Sequence, residues 1–276
     1  ADSRLLDLHA WENDTWAFVP TTLEDGMFIA TDVPLPEAVV VMQANQPTNM
    51  QIGVEVLPSR ELPSGLFPVA NTVSVGTLVL GANGALNGEP VLIQPGEYDE
   101  YLRVTNVGLV VDSTSIITLL SNESLQAAHI AELTGRAFDD GFTGINLDYQ
   151  GVDVGQSAEF TTFVNALRDA LHERDLELML TLAAPQRINR KWVTDGHNWA
   201  MLGAAADKIL VQMPLNPTLY NDGGFAEEIL GWVIRQVDRH KLLLLMSANA
   251  VDQIGDEILS LRLAKVEQEL GVGFMD

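Results

Sequence analysis

The chain contains no cysteine. Disulfides, thiolate nucleophiles and cysteine-ligated zinc are therefore excluded. Cations are scarce as well: 15 Lys and Arg stand against 38 Asp and Glu, for a formal net charge of −23. Neutralising phosphates takes clustered Lys and Arg, so nucleic acid is excluded as a partner, and an anionic membrane surface is disfavoured on the same ground. No apolar run approaches the ~20 residues of a spanning helix. Ala1-Asp2-Ser3 carries neither a basic nor an apolar leader region. An extracellular or cell-surface location then implies a signal removed ahead of residue 1. The five histidines (His9, His129, His172, His197, His240) form neither an i, i+4 pair nor an HExxH motif, so no metal is expected. Neither GxGxxG nor a phosphate-binding GxxxxGK[ST] occurs, and no cofactor is implied.

What is present changes character along the chain. The first 110 residues are rich in Pro, Gly, Val and Thr, with short apolar runs at Ala38–Met42, Gln51–Leu57, Thr77–Leu80 and Tyr101–Thr105. Asn83-Gly84 and Asn87-Gly88 punctuate them as turns. From Ser121 onward helical and strand patterns alternate. Residues 157–173 give the clearest helix, with Phe160, Phe163, Val164, Leu167 and Leu171 on one face and Ser157 as expected N-cap. Further helices are expected over 123–138, 225–238 and 256–270. Strands are expected at Ile145–Tyr149, Leu176–Leu182, Lys208–Met213 and Lys241–Met246, and a last one begins at Gly271. Near-continuous apolar strands between helices of this length imply parallel βαβ units covered on both faces.

Polar residues gather where these strands end: Asn106, Asp148, Gln150, Gln186, Asn216 and Asn249. A (β/α)8 barrel places its site at that face, whereas a doubly wound sheet would carry a phosphate loop that is missing here. The expected fold is therefore α/β, TIM-barrel-like, with a β-rich segment over residues 1–70, a barrel over 71–276, and truncation at the C-terminus.

The segment Gly141–Gln150 resembles the strand-4 signature of glycoside hydrolase family 18, DGxDxDxE. Thr143 and Asn146 stand at the first two aspartate positions, Asp148 at the third and Gln150 at the glutamate. The resemblance extends to Tyr101–Asn106 (strand 3 of bacterial, spore-type members), Leu119–Glu132, Phe160–Leu182, Asp195–Asp207 with Trp199, and Lys241. Met213-Pro214-Leu215 stands where the family has Met-Tyr-Asp. In the family the glutamate protonates the leaving oxygen, and the preceding aspartate orients the substrate's acetamido group. Asn146, Asp148 and Gln150 keep the period-2 spacing that aims alternate side chains to one side of a strand. A primary amide has no titratable proton for acid catalysis, and losing a general acid costs about 10²–10⁴ in rate.

The resemblance thus implies a degenerate, non-catalytic module that binds an N-acetylglucosamine-containing glycan of peptidoglycan or chitin type. Asn106, Asp148, Gln150, Gln186, Trp192, Met213 and Asn216 are the expected contacts. Two alternatives stand beside it. One is a weak glycosidase using Asp153 or Asp222 as a displaced acid. The other is a structural subunit that binds another surface protein, as a homo-oligomer or within a larger assembly. Tyr149, on the opposite side of its strand from Asp148, is expected to pack, as is Trp199.

Overall fold

The computed structural model describes residues 3–31, 36–45, 51–56, 70–88, 96–221 and 223–247, and the backbone of 250–254 and 257–261. The N-terminal part is a small β lobe. Strand β1 (Leu6–Glu12) pairs antiparallel with β2 (Thr15–Phe18), and β3 (Thr22–Glu24) with β4 (Met27–Ile29). β5 (Val39–Gln43) covers the other edge of β1. Asn13 and Asp14 turn the first hairpin with positive φ, which these short polar side chains tolerate.

The larger part is a parallel sheet. Its strands are β6 (Gly53–Val56), β7 (Thr72–Leu80) with the short antiparallel β8 (Leu86–Asn87) alongside, β9 (Asp99–Thr105), β10 (Gly144–Asp148) and β11 (Glu177–Ala183). After a hairpin of β12 (Gln186–Ile188) and β13 (Lys191–Val193), it continues with β14 (Lys208–Gln212) and β15 (Leu242–Leu245). Apart from β8, neighbours in space are neighbours in sequence, and every such pairing is parallel. The sheet curls, because residues of β6 and β15, at opposite ends of this order, line one interior cavity of about 90 Å³. The arrangement is TIM-barrel-like, as expected. Its first strand, Gly53–Val56, lies ahead of the expected boundary at residue 70.

Helices α1 (Ser113–Leu120), α2 (Glu123–Asp139), α3 (Ser157–His172), α4 (Trp199–Ala205) and α5 (Phe225–Gln236) form the outer layer. Asp112, Asn122 and Asn198 cap α1, α2 and α4 by accepting backbone N–H bonds. On α3 the apolar stripe Phe160, Phe163, Val164, Leu167 and Leu171 is buried throughout, each side chain contributing roughly 1.5–3 kcal/mol. Ser157 is the first residue of that helix instead of its cap. The capping side chain is Asp153, which accepts from Gly155 N at 2.7 Å and starts a 3-10 turn leading into α3.

The helix expected over 256–270 is corrected where it is described. β16 (Ala250–Ile254) and β17 (Glu257–Leu261) form an antiparallel hairpin. In the sequence they are joined by Gly255-Asp256, a pair suited to a tight turn, and local pairing of five-residue runs wins over helical periodicity. The expected strand at Gly271 lies outside the described residues, as do Asn249 and Asp222.

Candidate functional site

β10 is buried along its whole length and carries the site's polar row. It can lie this deep because a Cβ at Gly144 would meet Glu177 O at 2.0 Å, so only glycine admits the neighbouring strand there. Parallel register sets Asp148 opposite Thr105 and Asn146 opposite Arg103 on one side, and Asn146 opposite Met179 on the other. The inward side chains of three strands therefore meet at two levels.

At the lower level Asn146 donates to Ser74 Oγ at 2.9 Å and accepts from Thr181 Oγ1 at 2.8 Å. At the upper level Asp148 accepts three donors. Arg103 forms a salt bridge to its Oδ2, Thr105 Oγ1 donates to the same oxygen at 3.2 Å, and Gln150 Nε2 donates to Oδ1 at 2.6 Å. Gln150 Nε2 also reaches Thr181 O at 3.1 Å. Asp148 is 4% exposed and Gln150 9%. Arg103 turns its Nε toward Glu55 Oε1 on β6, 3.4 Å away. Burial pushes the Glu55 carboxyl above its ordinary range; Arg103 pulls it down less strongly, and Asp148 adds to the rise.

Asn106 is 0% exposed and spent on the backbone. Its Oδ1 accepts from Gln150 N at 2.8 Å, and its Nδ2 donates to Gln150 O at 2.8 Å and to Asp112 O at 3.1 Å. It clasps the end of β10 to the end of β9. Thr143 lies at the far end of β10, where its Oγ1 accepts from Glu100 N at 3.0 Å.

Tyr149 faces the helices, as its alternation predicts. Its hydroxyl lies 2.6 Å from His129 Nε2, whose Nδ1 sits 2.7 Å from Gly84 O, and its ring stacks with Phe163. Burial drives the His129 pKa down to about 4, so the ring is neutral near pH 7. His197 is likewise lowered by burial and lies 2.9 Å from Tyr149 O.

A cleft of about 880 Å³ opens over the C-terminal ends of β6, β11, β14 and β15. Its lining includes Glu55, Gln186, Arg187, Gln212, Met213, Phe225 and Met246. Of the expected contacts, Gln186 and Met213 lie on this wall, while Asn106, Asp148 and Gln150 are not part of the lining. Trp192 sits behind it. Its ring stacks on Phe225 at 5.6 Å and packs on Trp232 at 5.8 Å, with the Arg187 guanidinium 5.8 Å away. Trp199 is buried edge-on to Trp232, as expected of a packing residue. Asn216 caps the 3-10 turn Pro217–Tyr220 by accepting from Thr218 N at 2.9 Å. Among the described residues no group of three His, Asp or Glu is arranged to hold a metal ion. None of the helices there is long and apolar enough to cross a membrane.

Protein-family profiles and curated proteins gave no match to the chain. Solved structures did. A chitinase from Chromobacterium violaceum ATCC 12472 superposes with TM-score 0.63 at 23% identity, over 80% of this chain and 76% of that one. The chain has a family-18-like barrel fold. The spore cortex-lytic enzyme SleL of Bacillus megaterium QM B1551 matches with TM-score 0.67 at 12% identity, over 87% and 62% of the two chains. A glutamate-to-glutamine mutant of a class V chitinase from Nicotiana tobaccum, solved in complex with NAG4, matches with TM-score 0.55 at 16% identity, over 70% and 65%. The chain thus spans less than two thirds of the SleL and tobacco chains.

Arg103 and Glu55 escaped sequence reasoning. Arg103 shares a face with Tyr101 and Thr105 by strand alternation, so the parallel register to Asp148 would have exposed it. Glu55 had no such signal, because Gly53-Val54-Glu55-Val56 reads as an ordinary half-exposed strand.

Proposed function

We propose that this chain is a non-catalytic glycan-binding module on the family-18-like barrel, taking an N-acetylglucosamine-containing polymer of peptidoglycan or chitin type at the cell surface. One observation carries the reading. Where an acid would serve a glycosidic oxygen, Gln150 places an amide that donates to Asp148 and to Thr181 O, and an amide has no proton to give at neutral pH. It can still hold hydrogen bonds, and the cleft over the ends of β6, β11, β14 and β15 has the volume of a small-molecule site, walled by apolar side chains with few polar ones. In this reading Gln186 and Met213 touch the ligand, and Asn216 stands beside Leu215 of the wall. Asp148 and Gln150 hold the polar cluster outside the cleft lining, Asn106 fixes that cluster, and Trp192 backs the Phe225 wall. The fold shared with a chitinase solved in complex with NAG4 supports the ligand class.

The test is calorimetric titration with N-acetylglucosamine oligomers, together with a reducing-end assay on the same samples. Saturable heat without product is expected from the wild type, and absence of heat at millimolar oligomer would sink the proposal. Gln150→Glu places a carboxylic acid beside Asp148, whose charge raises the pKa of the new group. Hydrolysis about 10² above the wild-type background or more is expected. Equal hydrolysis by wild type and variant would show that Gln150 is not what silences the site.

A further inference from the structure

Glu55, Arg103 and Asp148 place two carboxylates around one guanidinium inside the barrel. Their side chains are 21%, 15% and 5% exposed. Ionised together they leave one uncompensated negative charge among partly buried side chains, which is costly unless one group takes a proton. Asp148 accepts from Arg103, Thr105 and Gln150, so both of its oxygens are already met by donors. The Glu55 carboxyl accepts no hydrogen bond from any described residue. Its Oε1 and the facing Arg103 Nε are both buried without a hydrogen-bond partner. The proton therefore belongs on Glu55.

Among the described residues lining the cavity there is no other counter-charge. Thr72 and Ser74 of β7, Met179 of β11, Leu210 of β14 and Leu243 to Leu245 of β15 share the interior cavity with Glu55 and are uncharged. Arg187, the cation of the cleft wall, is engaged by Glu228. Glu55 is also the carboxyl among the cleft's lining residues. A carboxylic acid both donates and accepts a hydrogen bond, as a sugar hydroxyl requires of its partner, whereas a carboxylate only accepts.

We propose that Glu55 is a proton-bearing carboxyl serving the cleft as a hydrogen-bond donor, so that the cleft takes neutral, hydroxyl-rich ligands in acid and releases them as Glu55 ionises. The proposal deepens the glycan-binding reading and rests on it for the ligand. Burial, the largest influence on Glu55, acts in the same direction. The linkage sign follows: a carboxyl that keeps its proton above the ordinary 4.5 favours the bound and folded states in acid, and that contribution is lost as pH rises through its midpoint.

The experiment is a titration of the whole chain with an N-acetylglucosamine oligomer from pH 4.5 to 8, on wild type and Glu55→Gln. The isosteric amide keeps a donor and cannot ionise. Wild-type affinity should fall about tenfold across the range, the worth of one hydrogen bond lost beside a new buried charge. Glu55→Gln should hold the acid-form affinity throughout. A flat wild-type profile, or an unchanged slope in Glu55→Gln, overturns the proposal. If neither protein binds sugar at any pH, the glycan reading fails on its own. The carboxyl ¹³C resonance of Glu55, identified by its absence from Glu55→Gln, then decides alone. A midpoint above the ordinary glutamate range supports the proton on Glu55, and one within that range removes it.

Discussion

The two sides of the barrel interior are built on opposite plans. On β9, β10 and β11, Asn106, Asn146, Asp148, Gln150 and Thr181 bond one another and the backbone, leaving little capacity for a ligand. On the wall formed by β6, β14 and β15, apolar side chains surround an open cleft, and the one carboxyl among the described lining residues lacks a hydrogen bond. The first side keeps the spacing of a hydrolytic signature and spends it on cohesion. The second has space and unmet hydrogen-bonding capacity without the signature. A motif's spacing can therefore persist as scaffold while the open space lies along a neighbouring wall.

The largest expected effect comes from breaking the link between the two sides. Arg103→Met leaves Asp148 and Glu55 facing one another without their shared cation, and should cost about 3–5 kcal/mol of unfolding free energy in urea at pH 7. Recovery of most of that loss at pH 4.5, where a proton on Glu55 removes one of the two facing charges, would confirm the cause; an equal loss at both pH values would point to packing alone. Asn106→Ala comes next. It removes the clasp on Gln150 N and O inside a fully buried site, and about 2–3 kcal/mol is expected by the same measurement. A loss under about 0.5 kcal/mol would mean that water replaces the clasp. Arg187→Ala on the cleft side should be the mildest. Arg187 and Glu228 are both exposed, so stability should change by less than about 1 kcal/mol. A larger change would show that the guanidinium's packing over Trp192 matters more than its charge.

Much of this division was legible in the sequence, and the reasons for the rest are physical. The stripe on α3 and the alternation of Asn146, Asp148 and Gln150 depend only on local periods of 3.6 and 2, and they read correctly. Tyr149 followed from the same alternation. The partners of Asp148 did not, because Arg103 lies 45 residues away and its role depends on strand register. Glu55 is set by the curl of the sheet, which no local pattern encodes. A tryptophan in a polar stretch with Arg187 and Arg190 suits a sugar platform, but Trp192 lies on β13, and the stacking of Phe225 and Trp232 against it exists only once α5 is packed. The helix expected over 256–270 fails at Glu257–Leu261, whose residues satisfy a helical pattern as well as a strand one.

The N-terminal lobe is pinned at a point far along the chain. Arg239 grips the Asp7 carboxylate with Nε at 2.6 Å and Nη2 at 2.7 Å, and Arg235 donates to Leu6 O, across separations of 232 and 229 residues. During synthesis the first strand leaves the ribosome long before its anchors exist. At about 5–20 residues per second that wait lasts on the order of ten seconds or more. Through that interval β1 must either hold its hairpin with β2 unaided or be shielded by a chaperone. The lobe is thus made well before the residues that hold it, and mutations in α5 should register as faults in its docking.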